Sequence, residues 1–102
     1  MAKVLVLYTQ PADPAAFDAH YYGTHIPLAR KIPGLRDMQL SAAPPNALAG
    51  PAPYLVAELF FDSMADLQAG LGSPEGQATA ADVANYAQAG VSILIFDTKS
   101  GM

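Results

Sequence analysis

The chain contains no cysteine and no tryptophan. The missing cysteine excludes disulfides, thiolate metal sites and a cysteine nucleophile. Charge is scarce as well: 14% of the residues are Asp, Glu, Lys or Arg, against roughly 25% in an average soluble protein. Only five residues are basic, namely Lys3, Arg30, Lys31, Arg36 and Lys99, and the formal net charge is −4. So few cations cannot grip a polyanion, and no nucleic-acid partner is expected. No apolar run approaches the ~20 residues of a membrane span. The first such run stops at Tyr8, too soon for a signal segment with its cleavage site, so the expected location is cytoplasmic and off the membrane. Phosphate-cradling glycine loops, dinucleotide fingerprints and Ser-His-Asp arrangements are missing too.

What is present is apolar: 52% of the residues are hydrophobic and the mean hydropathy is +0.21. The 102 residues suit one small domain spanning 1–102. With so few charges to cover its surface, such a domain is expected to bury part of that surface against a second copy of itself.

Val4-Leu5-Val6-Leu7-Tyr8 reads as a first strand. Asp13-Pro14 starts a helix, with Asp as cap and Pro in the first turn. Pro27 ends or kinks it, because its ring would meet the carbonyl of Gly23 four residues back. Pro33-Gly34 turns the chain, and Arg36 to Ser41 is a weak strand pattern. The stretch 42–53 holds Pro44, Pro45, Pro51 and Pro53 and reads as a long exposed loop, mobile or packed on a partner. Tyr54 to Phe61 is the strongest strand. Ser63 and Asp66 resemble a capping box before Met64, Leu67 and Leu71, and Ser73-Pro74-Glu75 opens a further helix running to about Tyr86. Val91 to Phe96 is the last strand. The order β-α-β-β-α-β predicts an α+β, ferredoxin-like domain: a four-stranded antiparallel sheet with helices on one face. Both faces of the Tyr54–Phe61 strand are largely apolar, whereas a sheet wetted on one side should alternate. Something must cover the second face, and a homodimer packed sheet to sheet is the expected solution.

Both histidines fall in one segment, Phe17-Asp18-Ala19-His20-Tyr21-Tyr22-Gly23-Thr24-His25-Ile26-Pro27-Leu28. His25 lies near a helix C-terminus, where the dipole favours its charged form. Tyr21 and Tyr22, four and three residues earlier, can lie alongside it. A histidine beside a phenol in a small apolar cavity can act as general acid or base; the alternative is that His25 merely caps the helix. On a regular α-helix His20 points about 140° away from His25. It is expected to be an ordinary, partly exposed side chain, and no metal site is expected. Glu58, alone in an apolar strand, must be paired or protonated. It either lines a cavity, meeting a substrate or Arg36, or forms a structural ion pair across a dimer. Tyr54, Phe60 and Phe96 are candidate lining for an apolar ligand, or simply core.

Phe17-x-x-x-Tyr21-Tyr22-x-x-His25-x-Pro27-Leu28 followed by Pro33-Gly34-Leu35 resembles the EthD family, named for ethyl tert-butyl ether degradation. Tyr54 to Ser63 and Leu71-Gly72-Ser73-Pro74-Glu75 resemble its third strand and following helices. The resemblance implies a dimeric α+β barrel and a role in bacterial catabolism, in places alongside a cytochrome P450 system. Relatives on that barrel include cofactor-independent oxygenases, cyclases, decarboxylases and a muconolactone isomerase. The isomerase's histidine falls on His25, but its tyrosine falls on Met38 and its cysteine on Leu59, so the same isomerisation is not expected.

Two readings follow. In the first, the chain is a cofactor-independent enzyme of oxidoreductase or oxygenase type acting on a small apolar or aromatic metabolite. His25 is then its acid/base, with Tyr21 or Tyr22 orienting it. In the second it is a non-catalytic binding or accessory protein for an oxygenase pathway. Haem binding through His25 is a third and weaker reading.

Overall fold

The computed structural model describes residues 1–102. Strand β1 (Ala2–Tyr8) leads into α1 (Pro14–His20), a π-helical turn (Tyr21–His25) and the short α2 (Ile26–Ala29). Then come β2 (Asp37–Leu40), β3 (Leu55–Phe61), α3 (Met64–Gly72), α4 (Pro74–Asp82), a 3₁₀ turn (Val83–Asn85) and β4 (Val91–Asp97). The strands lie in the order β2-β3-β1-β4 and every neighbouring pair is antiparallel. This is the ferredoxin-like arrangement predicted from the element order.

Local chemistry sets the boundaries. Asp13 caps α1 by accepting from the Ala16 amide, with Pro14 in the first turn. Ser63 caps α3 through the Asp66 amide, and Ser73 caps α4 through the Gly76 amide. Gly34, Gly50 and Gly90 adopt positive φ, which a residue with a Cβ takes up only at a cost. The 41–54 connection carries no helix or strand.

Period-two alternation sorts the sheet into two faces. Val4, Val6 and Tyr8 of β1 and Leu55, Ala57, Leu59 and Phe61 of β3 are buried under the helices. They form one core with Phe17, Tyr21, Ile26, Ala29, Ile32, Leu67 and Tyr86. The intervening residues point to the opposite, uncovered face. Strand β4 is bare on both sides: Ile93 and Leu94, on opposite faces, are 52% and 48% exposed.

Helices α3 and α4 meet at a close backbone approach. A Cβ at Gly76 would collide with the Gly70 carbonyl and come within 2.6 Å of the Leu71 carbonyl. A Cβ at Gly70 would lie 2.6 Å from the Pro33 carbonyl. Glycine at position 76 lets α4 lie close against the end of α3, and glycine at position 70 lets α3 pack on the Ile32-Pro33 turn.

Candidate functional site

The π turn decides the geometry of the site. The Ile26 amide bonds to the Tyr21 carbonyl, five residues back. Wider winding of this kind brings residues five apart onto one side. Pro27 supplies a physical reason for it: the proline has no N–H to give Gly23, and its ring crowds a regular α-helical turn. The regular-helix estimate that separated His20 from His25 is therefore corrected. Both rings face the same carboxylate, Asp82 at the end of α4. His25 Nδ1 lies 3.0 Å from Asp82 Oδ2, and His20 Nε2 lies 2.8 Å from Asp82 Oδ1. The Asn85 side-chain amide donates to Oδ1 as well, at 2.9 Å.

His25 and Asp82 are buried, while His20 keeps 30% of its side-chain surface. Burial alone would push the Asp82 carboxyl up, but the hydrogen bonds from Asn85, His20 and His25 outweigh it and hold the group below its ordinary value. Burial pushes the His25 imidazole down, and the Asp82 bond opposes this only in part. An ionised carboxylate can only accept, so the neutral His25 ring carries its proton on Nδ1 and donates it to Asp82. The other ring nitrogen, Nε2, bonds to no group of the chain and keeps its lone pair.

Aromatic rings fix the imidazole on two sides. Tyr21 stacks on His25 with centroids 5.5 Å apart and planes 20° from parallel. Tyr86 meets it at 4.8 Å and 60°, and also stacks on His20 at 5.4 Å. The Tyr86 and Tyr8 hydroxyls share a hydrogen bond of 2.6 Å. Burial, the largest cause in each case, drives the Tyr8, Tyr21 and Tyr86 phenols above their ordinary value. All three stay neutral and act as donors or packing surfaces, not as bases.

His25, Tyr21 and Tyr8 line a cavity of about 150 Å³ between the inner sheet face and the helices. The rest of its wall is mainly aliphatic, including Val6, Ile26, Ala57, Leu59, Ala80 and Val83. Ile93 of the bare strand β4 also contributes to the wall.

The other sequence candidates lie elsewhere. Tyr22 is 51% exposed and touches Tyr21 edge-on at 5.2 Å. Tyr54 packs on Phe17 and donates its hydroxyl to Asp18 at 2.9 Å. Glu58, Phe60 and Phe96 sit on the uncovered sheet face. Glu58 pairs with Lys3 of the same chain at 2.7 Å, and the Lys3 ammonium lies 5.1 Å from the Phe60 centroid and 5.7 Å from that of Phe96. The partner of Arg36 is Asp62, not Glu58. None of these four lines the cavity with His25, because strand alternation and the position of Tyr54 before β3 turn them away.

Asp82, Asn85 and Tyr86 escaped the sequence reading, as did Tyr8 as a site residue. The available signal was a carboxylate at the end of an alanine-rich helix, followed four residues on by a tyrosine. No three His, Asp or Glu side chains converge as a metal-holding group. No helix is long and apolar enough to cross a membrane.

The EthD domain profile matches residues 9–90, which takes in the helical segment, the π turn and Asp82. The chain belongs to the EthD family. It is 43% identical over 102 residues to an uncharacterized 11.0 kDa protein in the thcB-thcC intergenic region of Rhodococcus erythropolis, covering 98% of this chain and 97% of the relative. It superposes on an EthD family protein from Bacillus halodurans with a TM-score of 0.87 at 37% identity, covering 97% and 99% of the two chains. Two more distant structures share the fold alone. A dimeric ferredoxin-like protein of unknown function from Thermobifida fusca has a TM-score of 0.70 at 15% identity, over 95% of this chain and 90% of that one. SnoaB, a cofactor-independent oxygenase from Streptomyces nogalater, has a TM-score of 0.67 at 14% identity, over 99% of this chain and 95% of that one.

Proposed function

We propose that the chain is a cofactor-independent enzyme of bacterial catabolism in which His25 removes a proton from a small apolar or aromatic metabolite held in the cavity. One observation carries this reading: Asp82 accepts a hydrogen bond from His25 Nδ1–H at 3.0 Å, while Nε2 is left as a free acceptor beside an apolar cavity. A carboxylate that fixes the tautomer and steadies the imidazolium is the arrangement general-base chemistry uses. With the proton gone, an electron-rich substrate anion can itself reduce dioxygen, so an oxygenase of this kind needs no cofactor. Tyr21 acts here as the ring that orients His25, and Tyr22 takes no part. The size of the cavity argues against haem, whose macrocycle does not fit.

The enzyme is proposed to work as a homodimer joined through the uncovered sheet face. Leu5, Leu7, Val56, Phe60, Leu94 and Phe96 make that face apolar, and no part of the chain covers it.

The test is the turnover of purified protein against a panel of small metabolites with an acidic O–H or C–H bond, followed by oxygen uptake and product analysis. His25→Ala should reduce kcat by ~10²–10⁴-fold with the fold and the dimer intact. Turnover unaffected by His25→Ala sinks the acid/base reading. A protein that complements a pathway deletion equally well with and without His25 is the accessory protein of the second reading instead.

A further inference from the structure

The cavity restricts what His25 can meet. Its volume is about 150 Å³, and an apolar cavity of roughly 150 Å³ is large enough for benzene and stays dry when empty. One ring fits, and two fused rings would extend past the exposed Ala80 and Ile93 at its mouth. No Lys or Arg lines the wall, and the nearest ionised group is the Asp82 carboxylate behind His25. A ligand of either charge would lose its hydration and gain no partner of opposite sign inside. Of the polar lining groups, Thr79 is occupied, since its hydroxyl donates to the Glu75 carbonyl at 2.8 Å. The Tyr8 hydroxyl is engaged with Tyr86 at 2.6 Å. The Tyr21 hydroxyl lies beside that of Tyr8, and His25 Nε2, which bonds to no group of the chain, selects for a ligand that donates to it.

We propose that the cavity takes a neutral, single-ring molecule bearing one hydroxyl, phenolic or enolic, with that hydroxyl donating to His25 Nε2. This rests on the assignment of the His25 proton to Nδ1 given above, but it concerns binding and holds whether or not chemistry follows. Tyr21, stacked on the imidazole, then borders the ring of the ligand, and the aliphatic wall encloses the remainder.

The experiment is calorimetric titration of the purified chain with phenol, toluene, benzoate and 2-naphthol, with the ¹⁵N resonances of His25 followed in parallel. Phenol should bind saturably, toluene at least tenfold more weakly, and benzoate and 2-naphthol not at all. Phenol, but not toluene, should shift the Nε2 resonance. Ala57→Leu, at a buried position of the wall, should abolish phenol binding, and His25→Leu should leave phenol and toluene equal. Should His25→Leu fail to fold, the wild-type Nε2 shift decides the same point. Equal affinity for phenol and toluene in the wild type overturns the proposal, as does preference for benzoate or 2-naphthol, or phenol binding that survives Ala57→Leu. Phenol that binds as described but is never converted leaves this proposal standing and removes only His25 as a base. Turnover that depends on His25 and is confined to substrates without a hydroxyl overturns this proposal and leaves the base.

Discussion

The two faces of the sheet are built from nearly the same residue types and end in opposite states. Inner-face Val4, Val6, Leu59 and Phe61 are buried beneath helices. Outer-face Leu5, Leu7, Phe60 and Leu94 have nothing of their own chain above them. Each face also has a carboxylate held by its neighbours. Asp82 arrives over the inner face and is surrounded by Asn85, His20 and His25, an arrangement that leaves His25 Nε2 without a partner in the chain. Glu58 on the outer face is tied to Lys3 through one carboxylate oxygen. Hydrophobicity therefore marks both surfaces, and only the hydrogen-bond arrangement separates a chemical surface from an adhesive one.

Phenylalanine substitutions break that comparison most sharply. Phe61, fully buried on the inner face, should cost about 3–5 kcal/mol on truncation to Ala, read from denaturant unfolding at fixed chain concentration. Its neighbour Phe60, on the outer face, should cost less than half as much and shift the molecule towards monomer in light scattering. Equal losses at the two positions would mean that the faces are not distinct. The carboxylates come next. Asp82→Asn should lower kcat on the order of 10²-fold, since the amide no longer holds the Nδ1 proton, whereas Glu58→Gln should leave kcat unchanged.

Smaller effects sharpen the picture inside the core. Tyr86→Phe leaves the buried Tyr8 hydroxyl without its partner and should cost about 1–3 kcal/mol. Replacing both tyrosines by Phe should recover part of that loss. The pH dependence is smallest. The folded-state pKa of His25 is lowered from 6.5, so between the two values the unfolded chain holds the extra proton. Stability therefore falls as the pH drops below about 6.5. Asp82, lowered from 3.8, adds a second loss as the pH falls below that value. Thermal melts of His25→Gln should lack the upper loss and keep the lower one.

The sheet was readable in the chain because alternation and capping are local signals: Tyr54 to Phe61, Asp13-Pro14 and Ser73-Pro74 each announce themselves within a few residues. His25 was readable from its neighbours Tyr21 and Pro27. Asp82 was not, since it meets His25 across 57 positions and only the α3–α4 packing brings it there. The pairing of His20 with the site failed for a different reason. A single turn wound by five residues defeats an argument that assumes 3.6, and Pro27 was read as an ending when it also marks that wider turn. The outer-face candidates Glu58, Phe60 and Phe96 were chosen by residue type, which cannot tell one side of an apolar strand from the other when both sides are apolar.

The glycine contact between α3 and α4 has a consequence for how the site could be tuned. Gly76 lies in the first turn of the nine-residue helix whose last residue is Asp82. A methyl group added at Gly76 has nowhere to go except into the α3 backbone, so the helix must pivot, and its far end swings with it. The 3.0 Å contact that fixes the proton on His25 is thus adjustable from a lever arm six residues away, by a substitution that introduces no charge and touches no ring.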